Sequence, residues 1–269
     1  WQRKRFPGLS RRGRNYARAR GMSPLSALLI LATVLVTAFI SGIFGMAGGL
    51  ILMGVLTALL PVATAMVVHG AVQMVSNGYR AILWRRYIDW RVFRRYAAGS
   101  IAAFVMLLLV AWRPEARAVY LLLGLTALLV WLPRGWVRLD ILKRGQAEFA
   151  GFAVQALNTL SGVAGPLLDL FFVTTDMDRR AIVATKAVTQ VLAHLVKIGF
   201  WSVPVIAAAG AGAFPPVWFF ALAVPLSMLG TTLGGKLLER MSDVDFKRAM
   251  KWLVTAIGAA MLLKAAGWL

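Results

Sequence analysis

The 269-residue sequence has no cysteine and few acidic residues, with 10 Asp and Glu against 30 Lys and Arg. The absence of cysteine excludes disulfides and thiolate metal ligands, and it leaves the redox compartment undetermined. The carboxylates do not converge on one part of the chain, which argues against a cation-conducting site. We predict neither a metal site nor a cofactor.

Apolar residues, in contrast, dominate the chain. Hydrophobic residues make up 60% of it, charged residues 15%, and the mean hydropathy is +0.74. A soluble domain of this length could not bury so much apolar surface. The sequence therefore predicts an all-α polytopic membrane protein that lies in a lipid bilayer.

The formal net charge of +20 is concentrated in a tail and in two loops. The tail contains no acid and eight bases, which are Arg3, Lys4, Arg5, Arg11, Arg12, Arg14, Arg18 and Arg20. A nucleic-acid-binding arm would explain this tail, but a cytoplasmic flank of a membrane protein explains the tail and the loops together. We therefore predict no nucleic-acid partner, a disordered tail over residues 1–21, and a cytoplasmic N terminus at a bacterial inner membrane.

The stretch Ile40–Leu50 places four glycines within a long apolar run: Gly42, Gly45, Gly48 and Gly49. No charged residue occurs from Leu25 to Leu60. A continuous helix of that length would measure roughly 50 Å, whereas a bilayer core is about 30 Å thick. Each glycine also costs about 1 kcal/mol relative to alanine in a helix interior. The stretch predicts a broken or re-entrant helix, which membranes tolerate where the unwound backbone lines a polar cavity.

A second break resembles the first. Ser161–Pro166 repeats Ser41–Met46 at an offset of 120, and Val183–Thr185 repeats Val62–Thr64 at an offset of 121. Two matches in the same order predict a duplicated unit, with about eight transmembrane helices in two repeats that each open with an interrupted helix. The predicted units are a first four-span repeat over residues 22–132, a basic linker over 133–146, and a second four-span repeat over 147–269.

The charge distribution favours one interrupted crossing over a hairpin for Leu25–Leu60. One crossing places the basic loop of residues 80–95 on the same side as the basic tail, as the positive-inside tendency requires. We interpret Ala147–Thr174 in the same way, as the interrupted span of the second repeat.

Polar side chains follow one face of the span after each break. They are His69, Gln73 and Asn77 in the first repeat, and Lys186, Gln190, His194 and Lys197 in the second. Ionisable groups cost about 2.5–3.5 kcal/mol at the centre of a membrane helix, so each one is a candidate for function. The alternative is that the amides only form hydrogen bonds between helices, and that Lys197 lies near a span end and reaches the interface.

Asp169 is the one acid within an apolar run. It could pair with Lys186, which we favour, or it could bind a coupling ion, a role for which His69 and Lys197 are further candidates. The sequence leaves the coupling ion open between a proton and sodium. It also leaves open whether the chain forms a homo-oligomer.

The broken helices predict the kind of substrate. Exposed N–H groups at helix ends attract anions, and glycines let the backbone approach a ligand closely. The neighbouring polar stripe adds lysine and histidine donors. We predict a small anionic substrate bound by Gly45, Gly48, Gly49, Gln73, Asn77, Gly162, Gly165, Thr185, Lys186, Gln190 and His194.

Three features together resemble the TauE/SafE sulfite exporter family: the glycine-rich break in each half, Ile88–Trp90 after the second span, and the Ala-Thr pair that opens that span in each repeat. The resemblance covers Leu25 to about Trp268. It implies a two-repeat secondary carrier that exports sulfite, a sulfonate or another small sulfur-containing anion by alternating access. The chain departs from the family's denser glycine run at Met46, Ala47 and Pro166.

Two other functions fit parts of the sequence. A membrane scaffold or assembly protein would need neither duplicated breaks nor buried cations. An intramembrane hydrolase would use Ser161 as nucleophile and His194 as base, but Thr159 occupies a position where such a site needs glycine. We therefore predict a carrier and not an enzyme, and we expect Lys186→Ala or His194→Ala to abolish anion counterflow in proteoliposomes.

Overall fold

The structure is a computed structural model that describes residues 24–44, 47–132, 139–172, 174–209, 214–238 and 243–268. Within these ranges the chain forms ten α-helices, two short 3-10 turns and no strand. The helices are α1 (Pro24–Phe44), α2 (Ala47–Leu59), α3 (Val62–Leu83), α4 (Trp90–Val110), α5 (Ala116–Leu128), α6 (Gln146–Ser161), α7 (Gly165–Phe172), α8 (Arg179–Ala209), α9 (Val217–Leu238) and α10 (Asp243–Ala266). The predicted tail, Gly45 and residues 133–138 of the predicted linker lie outside the described residues.

Four helices of the described ranges are long and apolar enough to cross a membrane: Pro24–Ile43, Trp90–Val110, Arg180–Ala207 and Val217–Leu237. Two further apolar helices, Ala47–Leu59 and Ala116–Trp131, are shorter. Large apolar side chains also cover the outside of the bundle, for example Leu109 at 81% and Val217 at 85% exposure. A surface of this kind is suited to lipid, so the predicted all-helical, polytopic architecture is confirmed.

Both glycine-rich stretches interrupt a helix. α1 ends at Phe44 and α2 begins at Ala47. α6 ends at Ser161 because Gly162 has a φ of 88°, a left-handed conformation that a side chain with a Cβ rarely adopts. The Gly162 N–H donates to Asn158 O and closes the last turn of α6.

Contacts along α3 and α8 show that these two helices are antiparallel. His69 in α3 contacts Lys197, and Tyr87, just after α3, contacts Arg180 at the beginning of α8. We refer to the two ends of the bundle as the Tyr87 end and, where α3 begins, the Pro61 end. α3 therefore runs toward the Tyr87 end, and α8 runs away from it.

α4 and α6 both run in the same direction as α8. α4 leaves the Tyr87 end because a short turn connects it to α3. α6 is parallel to α4, since Arg95 binds Glu148 and, one turn further along both helices, Gly99 packs against Phe152. The chain must therefore return to the Tyr87 end between α6 and α8, and α7 is the element that brings it back.

α1 and α9 are parallel to α3. Leu35 packs against Gly230, and Phe39, one turn later, packs against Gly234. α9 leaves the Pro61 end because α8 ends there, so α1 also begins at the Pro61 end. Since α3 begins at that same end, α2 must bring the chain back between α1 and α3.

Each glycine break is thus the tip of a helical hairpin, one formed by α1 and α2 and the other by α6 and α7. Thr37 lies against Gly48, although the two residues would be about 16 Å apart in a continuous helix. In the second hairpin, Ile141 N–H before α6 donates to Phe171 O at the end of α7 over 2.9 Å. The prediction of one interrupted crossing for Leu25–Leu60, and for Ala147–Thr174, is wrong in this respect. The hairpin places the basic loop of residues 80–95 at the opposite end of the bundle from the start of α1.

The pairs of helices that pack together are the same in both halves of the chain, when α1 to α5 are matched in order with α6 to α10. α1 packs on α9 as α6 packs on α4, while α3 packs on α8 and α5 on α10. This pattern is the one expected when a five-helix unit is duplicated and the two copies interlock. The residue limits of the repeats stay a prediction.

Each hairpin is held by its own apolar core. Leu50 and Met53 of α2 pack into one cluster with Met66 of α3. Phe171 of α7 packs into a second cluster with Tyr96 of α4. The two tips are thereby fixed in the interior, where α3 and α8 cross.

Candidate functional site

The two hairpin tips approach each other inside the bundle. Gly49, in the first turn of α2, accepts a hydrogen bond from His69 Nε2 at 3.0 Å. Gly162, at the end of α6, accepts one from Lys197 Nζ at 2.8 Å. Met53 of α2 packs so closely on Gly162 that a Cβ there would lie 2.6 Å from the Met53 sulfur. The tip backbones are therefore in contact with side chains from both α3 and α8.

Lys197 and His69 connect the two tips directly. Lys197 Nζ lies 2.8 Å from His69 Nδ1, and both side chains are 0% exposed. His69 Nε2 must carry a hydrogen because it faces the Gly49 carbonyl oxygen, so Nδ1 accepts the bond from Lys197. The result is an unbroken chain of hydrogen bonds from Gly162 through Lys197 and His69 to Gly49.

His194 completes a group that we call the basic cluster, which consists of His69, His194 and Lys197. The ring of His194 lies edge-on to that of His69, with 5.6 Å between the ring centroids. His194 is 2% exposed, and its Nδ1 is buried without a hydrogen-bond partner among the described residues. A buried polar atom of this kind normally has a partner, so Nδ1 is available to a ligand.

The basic cluster has no acidic partner in the part of the chain that the structure describes. Ion pairs there join Arg95 to Glu148 and Lys186 to Asp169, and Lys197 takes part in neither. Burying a cation without a counter-charge is costly, because water no longer solvates it. A buried basic cluster without an acid is suited to a bound anion, which would stabilise its protonated form.

Amide side chains surround the cluster. Gln73 of α3 reaches the backbone of Gly49. Gln155 and Asn158 of α6 both donate to Ala193 O, at 3.3 and 3.1 Å, directly before His194. Gln155 and Asn158 are almost fully buried, and neither was singled out from the sequence. Their spacing of three residues in an apolar helix is a signal that could have identified them.

The structure brings several of the predicted site residues together at the tips. The predicted substrate residues found there are Gly48, Gly49, Gln73, Gly162 and His194, and the predicted coupling residues are His69 and Lys197. Lys197 lies in the interior of the 31-residue helix α8. The alternative that it sits near a span end and reaches the interface is wrong.

Other predicted residues lie away from the tips. Thr185 Oγ1 accepts a hydrogen bond from Asp89 N–H at 2.9 Å and so anchors the turn between α3 and α4 at the Tyr87 end. Lys186 pairs with Asp169 of α7, which is the pairing that the sequence analysis favoured. Lys186 precedes Lys197 by three turns of helix, about 16 Å along the axis. The ion pair is therefore separate from the basic cluster.

Asn77, Gln190 and Gly165 are the remaining predicted substrate residues that the structure describes. Asn77 Nδ2 donates to Gln73 O of its own helix at 2.9 Å. Gln190 is half-buried on α8, and Gly165 is the first residue of α7. Their predicted contacts with a substrate stay predictions.

Ser161 does not form the nucleophile–base pair that the hydrolase alternative requires. Its hydroxyl donates to backbone oxygens of Leu157 and Val163, at 2.9 and 2.7 Å. His194 faces His69 instead. The geometry therefore gives Ser161 a role in shaping the turn after α6.

Comparison with known proteins identifies the family. A family model described as Sulfite exporter TauE/SafE matches residues 29–261, a range that includes both hairpins and the basic cluster. Searches of curated proteins and of solved structures gave no match. The matched range covers most of the chain, and the chain therefore belongs to the TauE/SafE sulfite exporter family of membrane transporters.

Proposed function

We propose that this protein is a secondary carrier for a small anion such as sulfite, a sulfonate or another sulfur-containing anion, and that it works as an exporter. The observation that carries the proposal is the buried Lys197, which binds both His69 and the Gly162 carbonyl and has no acidic partner in the described chain. An anion at this point would supply the missing counter-charge.

The residues at the tips have distinct roles in this proposal. Lys197 and His194 provide cationic or hydrogen-bonding contacts to the anion, and Gln73 provides a neutral donor. Gly48 packs closely on Thr37 and Gly49 on Gln73, and both belong to the first turn of α2, whose N–H groups favour negative charge. Alternating access would then consist of movements of the two hairpins and their partner helices around this point.

We further propose that the Tyr87 end is cytoplasmic, at a bacterial inner membrane. Most of the bases outside the tail lie in loops and helix termini at that end, including Arg85, Arg86, Arg94, Lys143 and Arg144. The positive-inside tendency favours this orientation. It places Pro24, at the start of α1, on the opposite side, in contrast to the cytoplasmic N terminus predicted from the sequence.

Sulfite counterflow tests the proposal. We expect proteoliposomes containing the wild-type protein to exchange labelled external sulfite for internal sulfite, and we expect Lys197→Met to reduce this exchange at least about tenfold, which corresponds to roughly 1.4 kcal/mol. Lys236→Met, at an exposed lysine near the end of α9, is the control and should retain the wild-type rate. Wild-type exchange by a folded Lys197→Met protein would contradict an anion site at Lys197, and absence of exchange by the folded wild-type protein would favour a membrane scaffold.

The same assay extends to the residues predicted from the sequence. We expect His194→Ala to lose exchange, because His194 lies beside His69 in the basic cluster. Lys186→Ala is also proposed to lose exchange. If it does so, the ion pair with Asp169 is part of the transport cycle even though it lies away from the tips.

A further inference from the structure

The basic cluster has more proton-binding groups than a buried site can hold in charged form. His69, His194 and Lys197 are at most 2% exposed and lie within hydrogen-bond or ring-contact distance of one another. If all three carried a proton at once, three positive charges would share a dry interior. The cluster without an anion therefore favours a state with few bound protons.

The neighbouring elements do not supply a compensating negative charge. α6 contributes the neutral amides of Gln155 and Asn158 beside the cluster, while its acid, Glu148, binds Arg95 of α4. α7 contributes Asp169, which Lys186 of α8 neutralises. α3 contributes His69, α2 contributes only backbone and apolar groups, and Asp89 before α4 caps that helix at the Tyr87 end. Within the described chain, the charge that balances an additional proton has to come from the ligand.

An anion changes this balance. A negative charge beside a buried base favours the protonated form of that base. His194 Nδ1 is the place for an added proton, because it is buried and has no hydrogen-bond partner among the described residues. His69, in contrast, already uses both ring nitrogens, one toward Gly49 and one toward Lys197.

We propose that the carrier binds its anion together with a proton held on His194, so that the anion and the proton cross the membrane as a pair. This inference rests on the proposed function and names its coupling ion. Sodium is disfavoured, because it needs several oxygen ligands and would be repelled by Lys197. A divalent anion paired with one proton still carries one negative charge, so an inside-negative potential would continue to favour its export.

Binding calorimetry in two buffers tests the coupling. Methanesulfonate is the probe of choice, because it is a strong acid anion that carries no proton itself, and sulfite is the second probe. The purified full-length protein is titrated near neutral pH in Bis-Tris and in Tris, whose ionisation enthalpies differ. The difference between the two apparent binding enthalpies, divided by the difference between the two ionisation enthalpies, gives the number of protons that the protein takes up. We expect about one proton per anion in the wild-type protein.

Variants locate the proton. We expect His194→Gln to bind the anion more weakly and with no proton uptake, while Lys236→Met keeps the wild-type proton count. Proton uptake that persists unchanged in His194→Gln would overturn the assignment to His194. If His194→Gln does not fold, His194→Asn takes its place.

The outcomes separate this inference from the function on which it rests. Anion binding and counterflow without proton uptake by the wild-type protein would overturn the proton coupling alone, and so would counterflow that requires sodium. A wild-type protein that neither binds nor exchanges any of the anions would overturn both. Proton uptake by the wild-type protein that disappears in His194→Gln would support both the proposed function and the assignment of the proton to His194.

Discussion

At the scale of single residues, the two halves of the chain are not chemically equivalent. The offset of 121 that relates the halves places Ser76 at the position of Lys197. Ser76 Oγ binds Thr231 Oγ1 at 3.0 Å and so joins α3 to α9, whereas Lys197 joins α8 to both tips. The duplicated helices therefore provide a common frame, in which the second half has a buried lysine where the first half has Ser76.

Two glycines with different surroundings provide a test of the first hairpin. A Cβ at Gly48 would lie 1.9 Å from Thr37 O, so Gly48→Ala must push α2 away from α1. We expect this substitution to destabilise the protein by about 1–3 kcal/mol and to lower the thermal midpoint of the detergent-purified protein.

Gly199 in α8 is the matched control, because it has no neighbouring atom within 4 Å of an added Cβ. Gly199→Ala should be neutral or stabilising by up to about 1 kcal/mol, since alanine favours the helix. Equal thermal midpoints for Gly48→Ala and the wild type would show that α2 does not pack on α1 as described.

The sequence predicted His69 and His194 as members of facing polar stripes, and the structure places their rings in contact. It offered a place near a span end as one alternative for Lys197, whereas α8 continues to Ala209. The sequence analysis placed Lys186 in the substrate site and gave Lys197 only a possible coupling role. The sequence does not distinguish the two lysines, because the partner of each depends on packing between distant helices. Pairing with Asp169 was one of two alternatives, and only the fold could choose between them.

At the scale of helices, the lengths of α2 and α7, the segments after the two breaks, indicate that the chain turns back inside the membrane. The charge pattern favoured a single crossing instead. α2 has 13 residues and α7 has 8, so they measure about 20 and 12 Å, too short for a bilayer core of about 30 Å. The sequence correctly predicted where both helices break. It did not predict that the chain turns back, because the basic tail favoured a single crossing under the positive-inside rule.

Cysteine labelling tests the hairpin of α1 and α2, and the natural sequence has no cysteine to interfere. Pro24→Cys and Pro61→Cys introduce exposed thiols at the two ends of the hairpin, and Arg86→Cys introduces one at the Tyr87 end. We expect a membrane-impermeant maleimide to label Pro24→Cys and Pro61→Cys from the same side, and Arg86→Cys from the other. Labelling of Pro24→Cys and Arg86→Cys from one side would restore the single crossing.

At the scale of the whole molecule, polar contacts tie the bundle together at both ends and leave the basic cluster enclosed between them. At the Tyr87 end, Arg180 donates to the Tyr87 hydroxyl at 3.0 Å. At the Pro61 end, Arg117 donates to Ala265 O at 2.9 Å and joins α5 to α10. With His69 and Lys197 fully buried, this arrangement would be the occluded state of the carrier that we propose, from which movement at either end would open a path.

The proposed carrier function requires an anion to bind beside Lys197, between the two hairpin tips. Anomalous X-ray diffraction from crystals soaked in selenite, the heavier analogue of sulfite, measures the position of such an anion directly. We expect a selenium peak inside the bundle, within hydrogen-bond distance of Lys197 Nζ and next to His194. Selenium peaks only at the Lys186–Asp169 pair or on the surface of the bundle, with none near Lys197, would contradict it.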